Sequence, residues 1–196
     1  PKPKVYVMDN HAPNAFATGR NPKNAAVAVT SGLMELLNDD EIEGVISHEL
    51  AHIKNRDTLI ATLAATLGGA IAFLARMAWW SLFMGDRRNG GTLIMLPFIL
   101  LAPIAAMLIQ LGISRGREFK ADYTGADISE KPLALASALE KISNFSKSHP
   151  SKFSPASSHL WIINPLKADT FTKLFSTHPS VEERVRRLNE MSKKLK

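Results

Sequence analysis

Two stretches of this chain run without a single charge. Residues 59–75, LIATLAATLGGAIAFLA, are the first, and residues 92–113, TLIMLPFILLAPIAAMLIQLGI, are the second. The second is long enough to cross a bilayer core of roughly 30 Å as a helix. The first reaches that length by continuing past Arg76 to Trp79 and Trp80, a pair suited to a membrane interface. GDRRNGG between them is a short polar turn. The pattern predicts a transmembrane helical hairpin over 59–113. A pair of buried core helices is the alternative, but the remaining sequence is too short to cover both on all sides. Ala61, Ala65 and Gly69, at spacing four, form a small-residue row for close packing. Pro97 and Pro103 are tolerated in a membrane helix and bend it, and Arg76 snorkels toward the interface.

Outside the hairpin the pattern changes period. KVYVMD (4–9), NAFATG (14–19) and NAAVAVTSG (24–32) read as strands, the last two split by the turn cluster RNPKN. Ile42, Val45, Ile46, Leu50 and Ile53 repeat at helical spacing within 38–57, and Asp40 with Glu43 forms a capping box at its start. A second helix covers 129–145, capped by Ser129. Residues 148–179, rich in proline, serine and threonine, read as mostly loop. An amphipathic helix opened by Ser180 and Glu183 closes the chain. The hairpin therefore interrupts one α+β domain, made of 1–58 and 114–196.

Charge sets the orientation. Lys54, Arg56, Arg115, Arg117 and Lys120 flank the outer ends of the hairpin, against Arg87 and Arg88 in its turn, which places both long polar segments in the cytoplasm. The formal charge of +6, from 24 Lys+Arg against 18 Asp+Glu, is then explained by an anionic membrane surface, and no nucleic-acid partner is called for. The chain has no cysteine, which excludes disulfides, thiolate metal sites and thiol catalysis. It begins at Pro1 without a signal-peptide pattern, and reads as a fragment whose upstream part is missing.

The candidate chemistry lies in GVISHELAHIKNRD (44–57). On a helix His48 and His52, at i and i+4, share one face and can send two imidazole nitrogens to one metal ion, with Glu49 alongside as a base for a water molecule. A catalytic zinc site needs a third protein ligand. SRGREFKADYTGAD (114–127) supplies the best candidate in Glu118, on a helical continuation of the second apolar stretch. Asp122, one turn on, is placed to accept a hydrogen bond from a ligand histidine. His178, stiffened by Pro179, is a candidate donor to the oxyanion that forms during peptide hydrolysis, with Tyr123 as a rival. Arg184 braces the loop before the last helix through its carbonyls. His11, His149 and His159 read as ordinary surface residues, and Phe16 and Trp161 as packing residues.

HELAH, followed by a membrane hairpin and then REFKAD, resembles the HtpX family of membrane-bound zinc metalloproteases, which are related to the CAAX prenyl proteases. NAFATGRNPKNAAVAVTSGLMELL and THPSVEERVRRL are similar to the family's segments at either end. The resemblance implies a zincin-like α+β fold, zinc held by His48, His52 and Glu118, and Glu49 as general base. It also implies NAFATG as the edge strand that holds an extended polypeptide substrate, and a role in membrane protein quality control. The expectation is an endopeptidase in a bacterial-type inner membrane, acting on membrane proteins or their cytoplasmic segments. A non-catalytic adaptor that keeps zinc for structure and a CAAX-type prenyl protease stand beside it as alternatives.

Overall fold

A computed structural model describes residues 1–84, 91–149, 162 and 178–194. Arg87, Arg88, most of the 148–179 segment, His159 and Trp161 lie outside the described residues. The described residues are α+β. In chain order they form β1 (Lys4–Met8), β2 (Ala15–Asn21), β3 (Asn24–Thr30), α1 (Ser31–Leu36), α2 (Asp39–Lys54), α3 (Asp57–Met84), α4 (Gly91–Ser129), α5 (Pro132–Ser148) and α6 (Val181–Lys194). The chain divides into two compact units, one of residues 1–59 with 115–196, the other of residues 60–114.

In the first unit β3 is the central strand. β1 pairs with it in parallel and β2 antiparallel, so β2 is an edge strand. Val27 and Val29 of β3 alternate inward, as a one-sided sheet requires. They join Leu33, Leu37, Val45, Leu135, Leu139, Ile142, Val185 and Leu188 in one core. Burying each of the larger aliphatics contributes roughly 1.5–3 kcal/mol. The helical stripe on α2 is oriented as its spacing predicts: Val45 is fully buried, and Ile42, Ile46, Leu50 and Ile53 pack against the core's margin. α4 comes so close to α2 at Gly125 that a Cβ there would sit 2.7 Å from His48 Cα and 2.8 Å from His48 N.

Several boundaries differ from the pattern. Strand β3 ends at Thr30, the last extended residue, because its hydroxyl accepts Leu33 N–H and caps α1, where the chain turns helical. The capping box of α2 is Asn38 with Glu41, not Asp40 with Glu43. Asp40 and Glu43 instead share the Lys131 ammonium, at 2.7 and 2.6 Å. Ser129 closes α4, donating to Gly125 O at 3.1 Å, and does not cap α5, whose first residue is Pro132. Ser180 does accept Glu183 N–H at 3.2 Å, but the Glu183 carboxylate turns to Arg186 and Arg187 instead of back to the cap.

In the second unit, α3 and α4 carry the two apolar stretches. Asp57–Ser81 and Leu96–Ser129 are the two described helices long and apolar enough to cross a membrane. α4 stays helical through Pro97 and Pro103. The small-residue row is offset by one from the pattern. Ala61, Ala65 and Gly69 are exposed, whereas Gly68 is buried and Ile60, Ala64, Ala72, Ala75 and Ala78 are half-buried. The Gln110 side chain fills the space that a Cβ at Gly68 would need, so the long side chain selects the one position that can receive it.

Candidate metal centre

α2 presents His48, Glu49 and His52; α4 brings Glu118 and Asp122; the residues before and within α6 bring His178 and Arg184. All five charged or imidazole side chains of the inner cluster, His48, Glu49, Glu118, Asp122 and Arg184, are buried. The Nε2 atoms of His48 and His52 face each other at 3.1 Å, with the rings edge-on at 87°. Carboxylates behind them set this orientation. His52 Nδ1 lies 2.6 Å from Asp57 Oδ2, and His48 Nδ1 lies 3.0 Å from Asp122 Oδ1, close but poorly aligned. The Nε2 atoms of both imidazoles are thereby brought together on the side that Glu118 faces, with Arg184 NH2 3.4 Å from His48 Nε2.

Glu118 completes the group. Its Oε1 is 3.7 Å from His52 Nε2 and its Oε2 is 3.8 Å from His48 Nε2. One ligand atom from each of the three residues lies within 4.8 Å of the others, somewhat wider than the roughly 3.3–3.4 Å between tetrahedral ligands at about 2.0–2.1 Å from an ion, so a small inward movement of the carboxylate closes the set. Glu118 Oε2 is buried with no hydrogen-bond partner among the described residues. Two facing imidazole nitrogens and an orphaned carboxylate oxygen are a donor set that a divalent cation satisfies, and His48, His52 and Glu118 can hold one. With two histidines and one carboxylate, the set suits zinc and leaves a fourth position open.

The electrostatics favour that set. Burial pushes the Glu118 carboxyl up, but His178, Arg184 and His48 outweigh it and hold the group well below the usual carboxylate range. Asp122 is likewise raised by burial and lowered further by Arg184 and His48, so it stays ionised. Arg184 donates to Asp122 through Nε at 2.8 Å and NH2 at 2.6 Å, and to the Ile162 carbonyl through NH1 at 3.1 Å. The loop carbonyl contact agrees with the sequence reading; the larger bond, to Asp122, was not legible there.

Glu49 is held on the edge strand. Its Oε2 accepts the Ala17 N–H at 2.7 Å. Asn14 accepts Thr30 N–H across the β2–β3 ladder, so by alternation Ala15 and Ala17 turn their N–H groups away from β3 toward the open edge. His178 lies with Nδ1 3.3 Å from Glu118 Oε2, beside the metal group. Tyr123, its rival, is 62% exposed. His11 and His149 are exposed, as expected. Asp57 escaped the sequence reading. It orients His52, pairs with Arg117, and sits five residues after His52 in the same HELAHIKNRD run. Arg117 also donates to Asn55 O at 3.0 Å, tying the end of α2 to α4.

An HExxH helix, a glutamate on a later helix and an edge strand beside the base define a zincin-type metallopeptidase. The sequence matches the model of Peptidase family M48 over residues 1–192. The "Protease HtpX homolog" of Persephonella marina is 52% identical over all of this chain and 70% of its own length. The "Protease HtpX homolog" of Pyrococcus abyssi is 56% identical over 98% of this chain and 68% of its own. In fold, the chain resembles the crystal structure of S. mikatae Ste24p, with a TM-score of 0.62 at 20% identity, over 95% of this chain and 46% of that one. The chain belongs to peptidase family M48, a family of zinc-dependent proteases.

Proposed function

We propose that the chain is a membrane-anchored zinc endopeptidase that cleaves membrane proteins or their cytoplasmic segments in protein quality control. The protease domain is 1–58 with 114–196, facing the cytoplasm from an inner membrane, and 59–113 is the transmembrane hairpin inserted in it. The observation that carries this reading is that Glu49 shares one end of α2 with the His48, His52 and Glu118 group while touching the open edge of β2. A structural metal site has no use for a buried base pinned beside a strand edge, which weighs against the adaptor.

The residues divide the work. His48, His52 and Glu118 hold zinc, with Asp57 and Asp122 fixing the imidazole orientation. Zinc bound there would supply Lewis-acid polarisation of the scissile carbonyl and would acidify a nearby water toward a pKa of about 7. Glu49 takes the proton from the attacking water and returns it to the leaving amine. An extended substrate pairs with the edge of β2 through main-chain groups, which asks little of its sequence. His178 donates to the developing oxyanion. A CAAX-type prenyl protease is the second reading, supported by the fold likeness to Ste24p; the much higher identity to the HtpX homologues favours the first.

Metal analysis with a casein or self-cleavage assay, with and without chelator, tests the proposal. Chelation is expected to abolish cleavage and zinc to restore it. Glu49→Gln retains zinc and loses about 10²–10⁴ in turnover. His178→Ala loses about 10²–10³ with zinc content and thermal stability unchanged. Wild-type turnover in Glu49→Gln would sink the mechanism.

A further inference from the structure

The groove that begins at the metal group continues along β2. Ala17, Thr18, Gly19, His52, Arg56 and Thr58 are among its lining residues, so it is a shallow groove open to solvent along the strand. Arg56 is unusual in two respects. It follows the last turn of α2 with φ of +56°, the left-handed position that ends helices and that glycine ordinarily fills. A β-carbon there is strained, yet the position carries a long cationic residue, and that residue lines the groove. Arg56 is exposed, and no carboxylate among the described residues pairs with it.

We propose that Arg56 is a specificity-determining residue that selects substrates with an acidic side chain two or three residues before the scissile bond. This rests on the endopeptidase reading. Glu49 bound to Ala17 N–H marks the reacting position on the strand. From there the groove runs toward Thr18 and Gly19, the C-terminal direction of β2. A peptide added antiparallel, the stronger pairing, runs the opposite way, so the residues preceding its scissile bond lie along this end. Gly19, two residues beyond Ala17, is about 7 Å further along. Arg56 lines the same stretch of groove as Gly19, and a guanidinium is the cation that pairs a carboxylate through two parallel hydrogen bonds.

The test uses the full chain in lipid vesicles, loaded with zinc, and three fluorogenic peptides alike except for Glu, Gln or Lys at those two positions. Wild type is expected to prefer Glu over Lys about two- to fivefold in kcat/KM, the effect of one partly exposed ion pair. Arg56→Gly, which relieves the backbone strain, brings the ratio close to one. Arg56→Lys keeps most of the preference and Arg56→Glu inverts it, while Lys147→Ala, an exposed cation on α5, leaves it as in wild type. Fluorescence anisotropy with the same peptides on a Glu49→Gln background gives the ratio as Kd, without turnover. Selective binding with no cleavage by wild type would keep this inference and overturn the endopeptidase reading. Cleavage with a ratio that Arg56→Gly does not change would overturn this inference alone. So would a loss confined to binding of vesicles rich in anionic lipid, which would make Arg56 a headgroup contact.

Discussion

In residues 1–59 with 115–196, charge lies inside: Arg184, Asp122, Glu118, Glu49 and His48 are each more than nine-tenths buried. In residues 60–114 the arrangement is inverted. Leu63, Leu67, Phe73, Leu74, Trp80, Phe98 and Leu101 are more than half exposed, and Gly68 and Ala106 are among the covered positions. The first unit is built for water outside and a polar cluster within. Under the membrane reading proposed above, the second unit faces an apolar solvent, in which exposed leucine costs nothing and helices meet through small residues. The two units therefore follow opposite rules of substitution.

The largest test is Arg184→Met. Removing the guanidinium leaves Asp122 and Glu118 buried without their cation, and thermal or denaturant unfolding is expected to show a loss of about 3–5 kcal/mol. An unchanged stability would mean that the buried cluster is not ionised as described. The mirror test is Leu67→Arg, an apolar-to-charged change on an outward position near the middle of α3. Membrane insertion is expected to lose about 2.5–3.5 kcal/mol, measured as a partition between integrated and released forms. Release of the wild-type chain by alkaline carbonate, or no cost to the arginine, would break the contrast between the units.

The smallest effect sharpens the contrast within the first unit. Glu41 is buried and bonds Asn38, Ser137 and Lys141. Burial raises its pKa, but Lys141, Ser137 and the Asn38 backbone together leave it below 4.5. A depressed folded-state value gives stability that is present above about pH 4.5 and fades as pH falls through the folded value. Glu41→Gln is therefore expected to cost about 1 kcal/mol at pH 7. The difference from wild type should shrink progressively below pH 4.5 in thermal melts. A difference independent of pH would assign the loss to packing.

What was legible in the sequence follows the range of the interactions. The i, i+4 pair on α2 and the two apolar helices are local patterns, and they stand where the spacing puts them. The capping box is also local, yet it was misplaced, because Asn38–Glu41 and Asp40–Glu43 satisfy the same spacing. The choice is made at a distance: Ser137 and Lys141 draw Glu41 inward, and Lys131 occupies Asp40 and Glu43. Helix α1 was hidden because it is short and the strand reading of 24–32 had already taken its first two residues, Ser31 and Gly32. Arg184 meets Asp122 across 62 positions, and no periodicity reports that.

The contact at Gly125 has a consequence in leverage. Where two helices touch backbone to backbone, the contact is a fulcrum, and Glu118 stands seven residues from it along α4. That arm is about 10 Å long, so a tilt of about 5° at the fulcrum swings the Glu118 carboxylate by nearly 1 Å. A displacement of that size is enough to cost about a hundredfold in rate. The aim of the glutamate is thus set by a residue that has no side chain and never approaches a substrate.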